Sequence, residues 1–154
     1  MPTSTHPRTQ DIRLGYFGIR DYASTLTAMQ QFTEAREADT QDELWLLQHP
    51  PVYTLGLNGD ASHLLKATDI PLVRSDRGGQ ITYHGPGQLI AYPLLDLRRN
   101  RLGVRDLVSG LEQAVIALLR QYGILAEARR EAPGVYVAGD KIASLGLRVR
   151  RGCA

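Results

Sequence analysis

A single cysteine, Cys153, stands among the 154 residues, so no disulfide can close within the chain. That suits a reducing compartment, and a cytoplasmic protein is expected. No apolar run approaches the roughly 20 residues that a membrane helix needs. The opening MPTSTHPRTQ lacks the apolar stretch of a signal peptide and reads as a disordered polar tail over residues 1–10. His6, His49, His63 and His84 lack the close spacing of a metal site, so no metal is expected. His6, His49 and His63 read as surface or turn residues. A net charge of +2 is too small to draw nucleic acid by itself. Internal repeats and low-complexity tracts are absent.

What remains is an ordinary globular composition, 43% hydrophobic and 22% charged. A chain of this length can bury roughly 70% of its unfolded surface, enough for a core without staples. One domain is expected over residues 11–154. Strands are expected at 12–18, 43–48 and 52–57, with Pro50 and Pro51 between the last two. A helix at 21–38 follows from the Asp21 cap and from Tyr22, Leu26, Met29 and Phe32 on one face. From residue 70 the pattern predicts a meander, with strands at 70–75, 80–84 and 88–97. The apolar run in the third suggests burial on both faces. Residues 104–122 form the strongest helical pattern, striped by Leu107, Leu111, Val115, Leu118 and Tyr122, with Gly123 as its stop. A hairpin across AGD should join 134–138 to 141–150. Mixed strands and helices without regular alternation predict an α+β domain.

Two stretches carry chemistry. In RGGQITYHGPGQL, residues 77–89, Gly78-Gly79 and Gly85-Pro86-Gly87 have the make-up of tight turns around a short strand. Two hairpin turns would explain them. So would a ligand lying against bare backbone, with free amides facing a carbonyl oxygen. Spacing does not separate these readings, and the stretch is neither a Walker loop nor a Rossmann fingerprint. In GDKIASLGLRVRRGCA, a regular strand at 141–150 would put Lys141 on one face with Ala143, Leu145, Leu147 and Val149. Its ammonium then either snorkels out at the strand end or sits desolvated, with a lowered pKa and a proton to exchange with a nucleophile.

RGGQITYHGPGQL, with PGVYVAGDKIASLGLRVRRG and HPPVYTLG, closely resembles the bacterial lipoyl(octanoyl) transferases. The resemblance runs from about the first strand to Ala154. It implies an α+β fold like that of the biotin and lipoate protein ligases. It implies transfer of octanoyl from octanoyl-acyl carrier protein to a lysine of a lipoyl domain. Those domains belong to 2-oxoacid dehydrogenase E2 subunits and to the glycine cleavage H protein. The acyl group would pass through a cysteine thioester in an enzyme that needs no cofactor and works as a monomer. Lys141 would hold down the pKa of the cysteine. Arg77, Gly78, Gly79, Gln80, Ile81, Thr82, Tyr83 and His84 would line the acyl site with Ser144, Leu145 and Gly146.

Cys153 does not occupy the place of the family nucleophile, which follows further downstream in a proline-cysteine-glycine context. The chain is therefore expected to be the N-terminal majority of such a transferase, incomplete at its C-terminus and inactive alone. Geometry agrees: twelve extended positions would set Lys141 and Cys153 roughly 40 Å apart, against about 3 Å for a working pair. Arginines at Arg98, Arg99, Arg101, Arg129, Arg130, Arg148, Arg150 and Arg151 read as solvated charges or as guides for the acidic carrier. Three other readings stay open: an ATP-dependent lipoate or biotin ligase of the same fold, a noncatalytic acyl-binding module, and a cysteine hydrolase using Cys153 and His84.

Overall fold

The computed structural model describes residues 11–63 and 69–154. The expected tail at 1–10, with His6, and the side chain of His63 lie outside the described residues. The chain divides into two compact units. One ends at Asp96 and takes in Val149–Ala154, and the other is Leu97–Arg148. Strands and helices are mixed in an α+β arrangement.

In the first unit, β1 (Arg13–Ile19) leads into α1 (Tyr22–Glu34). The Asp21 carboxylate accepts the Ser24 amide at 2.9 Å and so caps the helix as expected. Tyr22 and Thr25 are buried, with Leu26, Met29 and Phe32 half-buried on the same side. The helix stops four residues short of the expected Ala38. β2 (Glu43–Gln48) then pairs parallel with β1 and antiparallel with β6 (Ile90–Leu94). A second sheet has the order β4-β3-β5, from β3 (Val52–Leu55), β4 (Leu72–Arg74) and β5 (Ile81–His84).

The expected meander is not formed. β4 and β5 do not pair with each other but flank β3, while β6 joins the other sheet. The reason is burial. Val52, Thr54 and Leu55 are the buried residues of β3, and a strand so covered takes the centre of a sheet. Neither glycine pair therefore closes a hairpin. The turn at Gly85–Gln88 does have the expected type II form, with the Gln88 amide 3.2 Å from the Gly85 carbonyl and Gly87 at φ 91°. It carries the chain between sheets. Burial on both faces of β6 holds only at its end, where Leu94 and the following Leu95 are buried and Ala91 is exposed.

In the second unit, α2 (Val104–Gln121) stops as expected. The amides of Gly123 and Ile124 close back onto the carbonyls of Arg120 and Leu119, with Gly123 at φ 72°. The stripe is narrower than expected, since Leu118 and Tyr122 are exposed. Glu112 is buried in their stead and accepts the Gly134 amide at 2.8 Å. The sheet of this unit is β7 (Glu127–Ala128), β8 (Val135–Val137) and β9 (Asp140–Ala143), antiparallel throughout. Ala138 and Gly139, at φ 50° and 94°, form the expected hairpin turn.

Candidate functional site

The site is built where β2 ends. Ile19 pairs with Gln48, so the next residue of each strand also meets. His49 Nδ1 lies 2.6 Å from the Arg20 carbonyl, which can only accept, so Nδ1 carries the hydrogen. Nε2 then accepts from the Tyr92 hydroxyl at 2.9 Å. His49 is wholly buried, against the surface or turn position expected of it. The two prolines after it do turn the chain, but the turn passes between two sheets and carries the imidazole inside. Burial pushes the Tyr92 hydroxyl far up and raises that of Tyr22, which donates to Ser75 Oγ at 2.8 Å.

His84 closes the cluster from the other sheet. Its ring stacks on Tyr22 at 6.2 Å and meets the edge of His49 at 5.9 Å. Val52 pairs with His84 and Thr54 with Thr82, which makes Thr54 and His84 diagonal neighbours on one face. Thr54 Oγ1 is 3.2 Å from His84 Nε2, and Gln88 Oε1 is 2.7 Å from His84 Nδ1. Burial holds His84 below the usual imidazole range, and the neighbouring His49 and Arg77 add to that.

Arg77 fastens the glycine loop. Its Nη2 donates to the Thr54 carbonyl (2.9 Å), to Thr54 Oγ1 (2.6 Å) and to the Gln80 carbonyl (3.0 Å). Its Nη1 donates to the Gly78 carbonyl at 2.8 Å. Burial disfavours the charge, and these oxygens compensate it. The close approach that this loop needs is made at Gly56. A Cβ there would stand 2.1 Å from the Gly79 carbonyl oxygen. Gly79 supplies a positive φ of 89°, and Gly78 does not.

The second unit holds the remaining expected residues. β9 ends at Ala143, so the regular strand expected over 141–150 is absent. Ser144, Leu145 and Gly146 follow it without regular structure. Lys141 is exposed, and its Nζ donates to the Pro133 carbonyl at 3.1 Å and lies 5.3 Å from the centre of the Tyr136 ring. The desolvated lysine is thus not found. Its strand is short and its stem passes Gly134, which leaves the ammonium at the surface.

Cys153 belongs to the first unit and is buried. Arg150 and Cys153 exchange two backbone bonds of 2.9 Å across Arg151 and Gly152, both at positive φ. Arg151 and Gly152 thus turn the chain sharply after Val149. Ala154 pairs with Leu95 through bonds of 2.7 and 3.0 Å, anchoring the turn. Arg150 forms an ion pair with Glu34 at 3.0 Å, and Arg151 donates to the Glu34 carbonyl.

Of the residues expected from the sequence, the structure gathers Arg77, Gly78, Gln80 and His84 around Thr54. On β5 the half-buried Thr82 shares the His84 face, while Ile81 and Tyr83 alternate to the other, where Tyr83 meets Tyr53 at 5.4 Å. Tyr22, His49, Thr54, Gly56, Ser75 and Tyr92 were not expected in the site. Three of them sit inside HPPVYTLG, where the alternation from Val52 to Thr54 is the only signal of an inward face. Among the described residues no group of three or more metal-binding side chains occurs. None of their helices is long and apolar enough to cross a membrane.

Residues 21–154 match the lipoyl protein ligase A/B catalytic domain. The chain is 68% identical over 136 residues to an octanoyltransferase of Methylococcus capsulatus, covering 88% of this chain and 66% of that one. It is 61% identical over 144 residues to the octanoyltransferase of Alkalilimnicola ehrlichii, covering 94% and 67%. The chain belongs to the octanoyltransferase family. It spans about two thirds of the length of these curated relatives. Among solved structures it is similar to a lipoate-protein ligase A bound with ATP, with a TM-score of 0.72 at 18% identity over 93% of this chain and 63% of that one. A bipartite lipoate protein ligase from Thermoplasma acidophilum gives 0.74 at 18%, over 94% and 58%. At that identity the likeness is one of fold.

Proposed function

We propose that this chain holds the acyl thioester in an octanoyl transfer from acyl carrier protein to a lysine of a lipoyl domain, such as those of 2-oxoacid dehydrogenase E2 subunits and the glycine cleavage H protein. The observation that carries the reading is the state of Arg77. Both terminal nitrogens of its guanidinium are taken up by Thr54, Gly78 and Gln80. A loop whose cation is spent on its own carbonyls suits an uncharged thioester better than the phosphates of ATP. That favours a transferase over an ATP-dependent ligase of the same fold.

In this reading, residues 77–84 receive the acyl chain. A thiolate attacks the thioester carbonyl, and the carrier thiol leaves with a proton. The amine of the lipoyl domain then attacks the new thioester, the amide forms, and the thiol is released. Lys141, exposed, supplies the ammonium that favours the thiolate. Cys153 is not that thiol. It is buried in an anchored turn, whereas a nucleophile needs an open approach. In this reading Cys153 forms no acyl-enzyme.

Intact mass and binding after incubation with octanoyl-acyl carrier protein test this. Saturable binding without an acyl adduct is expected. A thioester on Cys153 overturns the assignment of the thiol. Octanoyl-adenylate formed with ATP and free octanoate would move the chain to the ligases. Release of octanoate that is lost in Cys153→Ser would make it a hydrolase.

A further inference from the structure

Thr54 is wholly buried in the central strand of its sheet, and its hydroxyl lies between two basic side chains. The direction of each hydrogen bond there can be worked out. Gln88 turns its amide nitrogen to the Tyr83 carbonyl at 3.3 Å, so its oxygen faces His84 Nδ1, which must donate. In the neutral ring Nε2 is then bare and needs a hydrogen. The Thr54 hydroxyl can supply it, because Arg77 Nη2 has only hydrogens to offer and must donate to Oγ1. The result is one continuous chain, from the Arg77 N–H to the Thr54 O–H, to His84 Nε2, and from Nδ1–H to Gln88.

We propose that Thr54 is a positioning residue whose hydroxyl joins His84, held by Gln88 as the Nδ1–H tautomer, to Arg77, and so ties the protonation of that ring to closure of the Arg77–Gln80 loop. Adding a proton to Nε2 reverses the middle bond. Oγ1 would then receive two cationic donors, and its own hydrogen would have to turn elsewhere. The other groups acting on the ring do not relieve this. Tyr22 from α1 stacks on its face, His49 at the end of β2 presents an edge, and Arg77 is itself the second cation. Repulsion at Oγ1 reaches the loop, since Arg77 also donates to the Gly78 and Gln80 carbonyls, which move with it. The link to acyl docking rests on the proposed function, but the coupling itself does not.

Nitrogen-15 NMR of His84 in the whole chain gives the first test. A bare Nε2 and a protonated Nδ1 are expected, and the opposite tautomer overturns the proposal. Amide exchange at Gly78, Gly79 and Gln80 gives the second. Their protection should fall about tenfold as His84 takes up its proton, the loss of one charge-assisted hydrogen bond. Thr54→Val should keep the tautomer, which Gln88 holds, but remove that pH dependence, and Thr54→Ser should restore it. If Thr54→Val does not fold, the wild-type tautomer and the Thr54→Ser exchange profile decide. Loop exchange that ignores the His84 titration, or a Thr54→Val chain whose loop exchange still follows it, overturns the coupling. If loop protection follows His84 while affinity for octanoyl-pantetheine does not, the acyl-docking reading fails and the coupling stands.

Discussion

The α-carbon of Gly56 faces the carbonyl oxygen of Gly79 so closely that a side chain would stand 2.1 Å from it, with the carbonyls of Arg77 and Gly78 at 3.0 Å. All three neighbours are backbone, so none can swing aside. Gly56→Ala should therefore push the loop off β3 and weaken the bond between the Leu57 amide and the Arg77 carbonyl. The expected cost is about 1–3 kcal/mol in urea unfolding, the usual range for overpacking. Gly110→Ala is the control. That glycine lies exposed within α2 and a Cβ there meets nothing, so stability should rise by about 0.5–1 kcal/mol.

Arg36 and Asp42 form a buried ion pair, with side chains 6% and 2% exposed. The carboxylate also accepts the Asp96 amide at 2.9 Å, and the guanidinium donates to the Leu94 carbonyl. Removing one partner leaves the other charge buried alone, so Arg36→Met should cost about 3–5 kcal/mol. Adding Asp42→Asn removes the stranded charge and keeps an acceptor for Asp96. Chemical unfolding of the double variant should show a loss smaller than the two single losses added.

Much of the fold was legible because local signals and burial agree there. The Asp21 cap, the Gly123 stop, the limits of β2 and the Ala138–Gly139 turn all depend on neighbours within a few residues. What failed was pairing. The turns around Ile81–His84 look the same in sequence whether β5 pairs with β4, with β6 or with β3, and burial of β3 decides the matter. The inner face of the site was less legible. The closest backbone approach in the loop is made at Gly56, at the end of β3, and not among the loop's own glycines. Thr54 gave no polar signal because a threonine in a β-strand is ordinary. Lys141 shows the opposite error, since an apolar pattern after it does not make a strand when the ladder ends at Ala143.

Glu112 is a carboxylate on the buried face of α2, and its Oε1 receives the Gly134 amide at 2.8 Å. Glu112→Leu would fill the space with an apolar chain and orphan that buried N–H. The expected loss is about 1–3 kcal/mol. Glu112→Gln keeps an oxygen acceptor of the same length and should retain most of the stability. Exchange of the Gly134 amide separates the cases: fast in the leucine variant, protected in the glutamine variant.

The cap of α1 should make stability depend on pH with a definite sign. The Ser24 amide holds the Asp21 carboxyl below its ordinary value of 3.8. A group lowered by folding binds its proton more weakly in the folded chain, so its contribution is full above the unfolded pKa. It is lost as the pH falls through the folded value, below about 3.8. Asp21→Ala should therefore lower stability at neutral pH by about 1 kcal/mol, as for other N-caps. Asp21→Asn, which keeps an acceptor oxygen but cannot titrate, should lose less. Thermal unfolding of all three from pH 7 to about 2 should bring the alanine variant and the wild type together at the acid end, as protonation weakens the cap. A gap that stays constant through the acid range would mean that the carboxylate does not hold the helix start.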